Sequence, residues 1–273
     1  MDAFLSFFET MPIWMKAGWV FFCLSLFWIL EGYYSFRSLP YRKWKHAKTN
    51  LIFLFFVILI NAIFGIATVS VFVWLQESQF GILHLFEVPV WVELLLSIAV
   101  LDLIAQYGVH YLLHQVNWMW RLHIVHHSDK NIDASTGTRH HPLDFIIREG
   151  FALIAVLIMG MPIAFYFFYR ILSVLFTYFT HANIQLPLWL DKGLSYLIVT
   201  PNMHKFHHHY KLPWTDKNYG NMLSVWDRIF GTFVYGNMED IRYGLDISDT
   251  TDDENIMVQL RIPFDKTISS RKT

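Results

Sequence analysis

Two stretches of this 273-residue chain, "RLHIVHH" ending at His127 and "NMHKFHH" ending at His208, share one spacing, His-x-x-His-His. Ahead of the first lies "HYLLH", with His110 and His114 four apart, and between the two lies a single His181 in "HAN". Twelve of the fourteen histidines fall between positions 110 and 209. On a helix, residues three and four apart share a face, so each group projects its imidazoles to one side and three helical segments can converge them. Buried imidazoles without partners cost on the order of a few kcal/mol each, and metal ligation removes that cost. The spacing selects His110, His114, His123, His126, His127, His181, His204, His207 and His208 as ligands. That set exceeds what one ion takes, about four for zinc and six for an octahedral metal, so two metals are expected. Four or five imidazoles per ion leave a position open, which suits iron that binds O2 better than a closed zinc site. His209 points about 100° away from His208 if the helix continues, and is left out. His140 and His141, just before Pro142, stay ambiguous: either is a further ligand, a partner of a ligand or a loop residue.

Such a cluster needs a scaffold, and the composition says of what kind. The chain is 55% hydrophobic and only 16% charged, against roughly 25% charged in an average soluble domain, and its mean hydropathy is positive. This is the composition of a membrane protein. Lys plus Arg number 21 and Asp plus Glu 22, a balance with no footprint for nucleic acid. The single cysteine, Cys23, permits neither an intrachain disulfide nor a cysteine-based metal cluster, so metal must be held by imidazole and oxygen. The first apolar run follows the acidic residues Asp2 and Glu9 with no small-residue cleavage site, and is expected to remain as an anchor.

Residues 17–36 and 51–75 are each long and apolar enough to cross a hydrocarbon layer of about 30 Å. Between them Arg37, Arg42, Lys43, Lys45 and Lys48 share one loop, which the positive-inside rule places in the cytoplasm, with the N-terminus outside. A third span runs from about 89 to 113 and carries a polar stripe, Asp102, Gln106, His110 and His114, each four apart. A carboxylate inside such a span is a functional candidate by default. Asp102 lies about 12 Å along the helix from His110, too far to share its ion, and is expected to bond an imidazole from another segment, His181 or the 204–208 group, or else to serve helix packing. The fourth apolar stretch, 151–180, must fold back at Gly160-Met161-Pro162 if His127 and His181 are to share a side, so a shallow hairpin is expected there.

The fold expected is therefore all-α: about three spanning helices, a re-entrant helical hairpin and a cytoplasmic histidine-rich helical cap. Residues 1–236 form one membrane-embedded domain with its histidine core at about 100–235, and 237–273 form an acidic, polar tail expected to be solvated.

A membrane zinc protease would place a glutamate after the first histidine of its motif, where "HYLLH" has Tyr111. A haem site needs one or two axial histidines and does not account for the adjacent pairs at 126/127 and 207/208. A non-catalytic membrane metal-binding or transport protein remains the competing class. The ordered set "HYLLH", "HIVHH", "HAN" and "HKFHH", followed by "NYGNMLSVWDRIFGTF", resembles the sterol desaturase and fatty acid hydroxylase superfamily of membrane di-iron enzymes. The resemblance covers about 100–235, and "HQVNWMWRLHIVHHS" looks most like the alkylglycerol monooxygenase branch and its bacterial relatives. It implies that the same nine histidines bind two ferrous ions. It further implies reductive O2 activation at an unactivated C–H bond of a membrane lipid, giving an alcohol or an alkene. With no flavin, dinucleotide or haem fingerprint in the chain, electrons would come from an external donor: a cytochrome, a ferredoxin or a reduced pterin. One departure stands out. Some members of the superfamily place a histidine where this chain has Thr177, which leaves one metal a ligand short or dependent on His141 or water.

Overall fold

The computed structural model describes residues 2–39, 41–245, 252–266 and 268. Their regular elements are helices, with no strand among the described residues, only two isolated bridges. Helix α1 (Asp2–Glu9) lies against the start of α8 (Ile163–His181), where Phe8 and Met11 pack on Ala164, Phe167 and Phe168. Helices α2 (Ile13–Tyr33) and α3 (Lys43–Ser78) are apolar almost throughout, as a helix facing lipid must be. At 1.5 Å per residue α3 is about 54 Å long, well beyond a hydrocarbon layer of about 30 Å. Its first turns stand clear of that layer and bury His46 and Asn50 against Asp129 and Ser135.

The third apolar helix is not uniform. Helix α4 (Val90–Asp102) passes through a π-helical segment, Leu103–Gly108, into α5 (Val109–Gln115). Gly108 permits the wider turn, because a Cβ there would lie 3.0 Å from the Leu103 carbonyl oxygen. Such segments recur at functional sites, and here it lies within the polar stripe. Asp102 and Gln106 bond Tyr169 and Ser173, also four apart on α8, whereas His110 and His114 turn toward the other histidines.

Helix α6 (Asn117–His127) follows, then the hairpin of α7 (Pro142–Met159) and α8 (Ile163–His181). The chain folds back at Gly160-Met161-Pro162, with Gly160 at φ +67°, a conformation that favours glycine. The hairpin is not shallow, however. A Cβ on Gly81 would lie 2.4 Å from the Gly160 backbone nitrogen, so the hairpin tip packs on the connection just past the end of α3. The apolar run begins later than the helix, because Asp144, Arg148 and Glu149 occupy the first turns of α7. Those charges are paired: Arg170 of α8 meets Glu149 at 2.7 Å and Asn61 of α3 at 3.0 Å, as charges at membrane depth require. Four helical stretches, Ile13–Tyr33, Lys43–Leu85, Val90–Gln115 and Ile163–His181, are long and apolar enough to cross a membrane. The protein is an integral membrane protein.

The expectation of a solvated tail is corrected for its described residues. Ile241, Gln259 and Ile262 are buried. The backbone oxygen of Asp253 accepts from Arg139 at 2.6 Å, and Ser128 donates to Gln259 at 2.6 Å. The segment thus crosses the back of α6, with the short helix Ile256–Arg261 and Ile262 against Trp120 and Ile124. An acidic, hydrophilic stretch hid this, because the few apolar residues that dock, Ile256, Leu260 and Ile262, follow it in and just after a short helix, and are joined by hydrogen bonds to the Asp253 carbonyl and the Gln259 side chain.

Candidate metal centre

Four elements carry the histidines: α5, α6, the C-terminus of α8, and α9 (Pro201–His207) with His208 at its cap. Helix α9 starts cleanly, with Pro201 at its first position and the Thr200 hydroxyl accepting from Met203 N–H. Behind α8, the carboxylate of Glu31 accepts from the amides of Ala134 (2.6 Å) and Asn183 (2.8 Å), tying the end of α2 to the chain just past His181.

The nine histidines converge as two buried groups. His110, His114, His123, His127 and His207 bring one nitrogen each within 4.8 Å of one another, and His126, His181, His204 and His208 do the same. The orientation of the rings is the informative part. His110 Nδ1 donates to Tyr219 O (2.8 Å), His207 Nδ1 to Lys217 O (2.7 Å), His126 Nδ1 to Arg139 O (3.2 Å) and His181 Nδ1 to Thr177 O (2.7 Å). His114 and His123 set Nδ1 on the carboxylates of Asp216 (3.2 Å) and Asp144 (3.0 Å). A carbonyl oxygen only accepts, so Nδ1 carries the proton and Nε2 presents a lone pair. Yet Nε2 of His126 and His181 stand 3.1 Å apart, and Nε2 of His110 and His123 stand 3.0 Å apart. Two lone pairs facing each other at that distance repel unless a cation lies between them. Burial, reinforced by neighbouring imidazoles, holds His126, His127, His204, His207 and His208 well below the ordinary histidine pKa. Burial also brings His123 down to about 3 against the pull of Asp144. The rings are therefore neutral, the form that binds metal.

Residues 94–232, which contain all nine histidines, match the fatty acid hydroxylase family. The chain belongs to the fatty acid hydroxylase family. Among its relatives, the alkylglycerol monooxygenase of Homo sapiens is 32% identical over 139 residues, which is 51% of this chain and 30% of that protein. The ornithine lipid hydroxylase of Rhizobium tropici is 28% identical over 133 residues, 48% of this chain and 39% of its own length. The chain thus matches well under half of the length of these relatives. No solved structure matches it.

Within this fatty acid hydroxylase scaffold the other candidates separate. His141 does not join either group: its Nδ1 accepts from Leu143 N–H as the cap of α7, and its ring meets Phe264. His140 stands nearer, its ring stacked on His126 with centroids 4.7 Å apart and its Nδ1 3.3 Å from Asp144. His209 is turned away, and its Nδ1 accepts from Arg242 N–H. The expected imidazole partner of Asp102 is corrected too. The Asp102 carboxylate accepts from Tyr169 OH (3.1 Å), Leu223 N–H (3.0 Å) and Trp226 Nε1–H (3.0 Å), so it ties the 223–226 segment to α4. Sequence distance along the helix had removed Asp102 from His110 but gave no means of finding those donors.

What the sequence reading missed is a loop. Asp216, Lys217 and Tyr219 orient His114, His207 and His110 respectively, three of the five histidines of the larger group. Asn218 holds this loop at φ +55°, donating to Met203 O and Val234 O at 2.8 Å each. Asp227 accepts from the amides of Tyr219 (2.8 Å) and Gly220 (2.9 Å). Two of the three contacts use backbone carbonyls, which leave no residue-type signal. Asp144 did leave one, standing four residues after His140.

Proposed function

We propose that the chain is an O2-dependent di-iron enzyme that hydroxylates an unactivated C–H bond of a membrane lipid. The supporting observation is the set of opposed Nε2 lone pairs in two adjacent, buried histidine groups. On this reading His110, His114, His123, His127 and His207 hold one iron, and His126, His181, His204 and His208 hold the other. The ferrous pair would supply the redox chemistry that activates O2 with electrons from an external donor. The protein's part is to hold Nδ1 of six of the nine histidines on a carbonyl or carboxylate, to keep the imidazoles neutral by burial, and to exclude water. Asp144, Asp216 and the carbonyls of Arg139, Thr177, Lys217 and Tyr219 do the locking. The spanning helices bring the lipid. The names of the relatives favour hydroxylation over desaturation. The basic residues Arg42, Lys43, Lys45 and Lys48 favour a cytoplasmic position for the histidine cluster.

The test is anaerobic reconstitution with ferrous iron, metal analysis, then addition of O2, a reductant and lipid extract with mass spectrometry. Two irons per chain and a lipid that gains one oxygen are expected. A single metal per chain, activity with zinc alone, or metal crossing liposomes with no lipid product would overturn the proposal and favour a metal-binding or transport role.

A further inference from the structure

A cleft of about 690 Å³ opens where two spanning helices end on the histidine side. Past the ends of α2 and α8 the chain segments are tied together, with Phe36 N–H donating to Asn183 O (2.8 Å) and Gln185 N–H to Tyr34 O (2.9 Å). Phe36, Arg37, Gln185, Lys192, Asn202 and Glu239 are among the residues that line the cleft. Tyr33, Tyr34 and Trp189 are 78%, 64% and 76% exposed nearby. Such aromatic side chains settle at the boundary between hydrocarbon and water, which puts the mouth of the cleft at headgroup depth.

Asn202 is 2% exposed; its Nδ2 donates weakly to Tyr235 OH, and its Oδ1 has no partner among the described residues. Asp191 Oδ2, Asn183 Oδ1 and Tyr243 OH lack one as well. Asn202 itself lines the cleft, and the other three border residues that do: Asp191 accepts from Tyr235, Asn183 donates to Arg37 O, and Tyr243 lies under the Arg37 guanidinium. Buried polar atoms are nearly always paired, so a local concentration of unpaired ones points to a ligand with polar hydrogens. The charges lining the cleft are mixed, Arg37 and Lys192 against Glu239. Arg37 uses two of its five N–H groups on Ile241 O and Met238 O, leaving others for an anion.

We propose that this cleft holds the headgroup of the substrate lipid, one that pairs an anionic group with an N–H-bearing ammonium; this rests on the lipid-oxidising reading above. Lys192 and Arg37 take the anion, while Asn202 Oδ1 and Glu239 take the ammonium. Asn202 stands two residues before His204, and Gln185 four after His181, so the headgroup sits beside two segments that carry the smaller histidine group. An anchored headgroup sets how far along the chain the reacting carbon lies.

The experiment uses the full chain in nanodiscs and native mass spectrometry, with phosphatidylethanolamine, phosphatidylcholine and diacylglycerol of identical acyl chains as probes. Only the first carries both an anion and ammonium N–H groups. It should be retained roughly tenfold better than either other lipid, the ratio that one charge-assisted hydrogen bond supports. Lys192→Ala and Asn202→Leu should each remove most of that preference while metal content stays unchanged. Equal retention of phosphatidylethanolamine and phosphatidylcholine, or an unchanged preference in Lys192→Ala, would overturn the proposal. Lys192 is exposed, so this second arm stands even if Asn202→Leu does not fold. Displacement of the lipid by soluble phosphoethanolamine at equal concentration would show a free-phosphate site rather than a lipid site. Retention of a lipid that is left unoxidised while another is oxidised would overturn the substrate assignment. A chain that loses metal but keeps the headgroup preference would instead sink the di-iron reading and leave the cleft assignment standing.

Discussion

Two aspartates near the histidines have opposite work, and substitution separates them. Asp144 accepts from His123 Nδ1 and Arg148 Nε, so Asp144→Asn removes the charge behind one ligand. It should weaken metal retention roughly ten- to a hundredfold in a chelator titration, the usual effect of losing such a carboxylate. Asp102 accepts from three donors, and Asp102→Asn sets an amide NH2 among them. The loss of at least one charge-assisted hydrogen bond, about 1.5–3 kcal/mol, should lower the unfolding temperature before it affects metal content. Weaker metal binding in Asp102→Asn at unchanged stability would show that it acts on a ligand after all. The histidines themselves predict a pH dependence. Burial sets the folded-state pKa of His123 at about 3 and those of His126, His127, His204, His207 and His208 well below 6.5. Below pH 6.5 the unfolded chain therefore binds more protons than the folded one, and each histidine removes up to about 1.4 kcal/mol of stability per pH unit. Their contribution is complete above about pH 6.5 and is lost progressively as pH falls below it. The metal-free protein should unfold at progressively lower temperature from pH 7 to pH 5, and a flat or rising profile would contradict the burial of neutral rings.

Among the elements, the 216–219 loop is the one whose removal should be felt at the site without touching a histidine. Asn218→Gly keeps the left-handed backbone accessible but deletes the hydrogen bonds to Met203 and Val234, whereas Asn218→Ala adds strain at φ +55° to the same loss. Both should loosen the orientation of His110, His114 and His207 and release metal from the larger group, roughly tenfold more readily in a chelator titration. Asn218→Ala should also unfold at lower temperature than Asn218→Gly. Unchanged metal retention in both would show that the loop merely covers the site. The hairpin is a second case in which an element decides. Its reversal at Gly160 was legible from a glycine next to Met161-Pro162, but its depth was not, since Asp144, Arg148 and Glu149 interrupt the apolar pattern of α7. Only Arg170 and Asn61, on two other helices, show why Glu149 is tolerated there.

At the scale of the molecule, the alternation of α2, α3, α4–α5 and the hairpin puts the basic loop and the histidine groups on one side and the hairpin tip on the other. With Cys23 replaced, cysteines at Lys45 and Lys192 should react with an impermeant thiol reagent from one side of sealed vesicles, and a cysteine at Ser78 from the opposite side. Labelling of Lys192 and Ser78 positions from the same side would refute the arrangement. The sequence by itself determined the class of the fold and singled out the nine histidines that converge, because apolar length and i, i+3, i+4 spacing are local properties that survive without knowledge of the partners. It did not determine how those histidines divide into five and four, since His126 and His127 are adjacent in the chain and yet face different groups. Nor did it determine the roles of Asp102, His141 or the residues beyond Asn237. Each of these depends on a partner contributed from far along the chain: the Trp226 N–H for Asp102, the Phe264 ring beside His141, the Arg139 guanidinium for the Asp253 carbonyl. Much of that pairing runs through backbone amides and carbonyls, which every residue possesses. Only the tertiary structure, by bringing particular ones to hydrogen-bond distance, decided which of them matter.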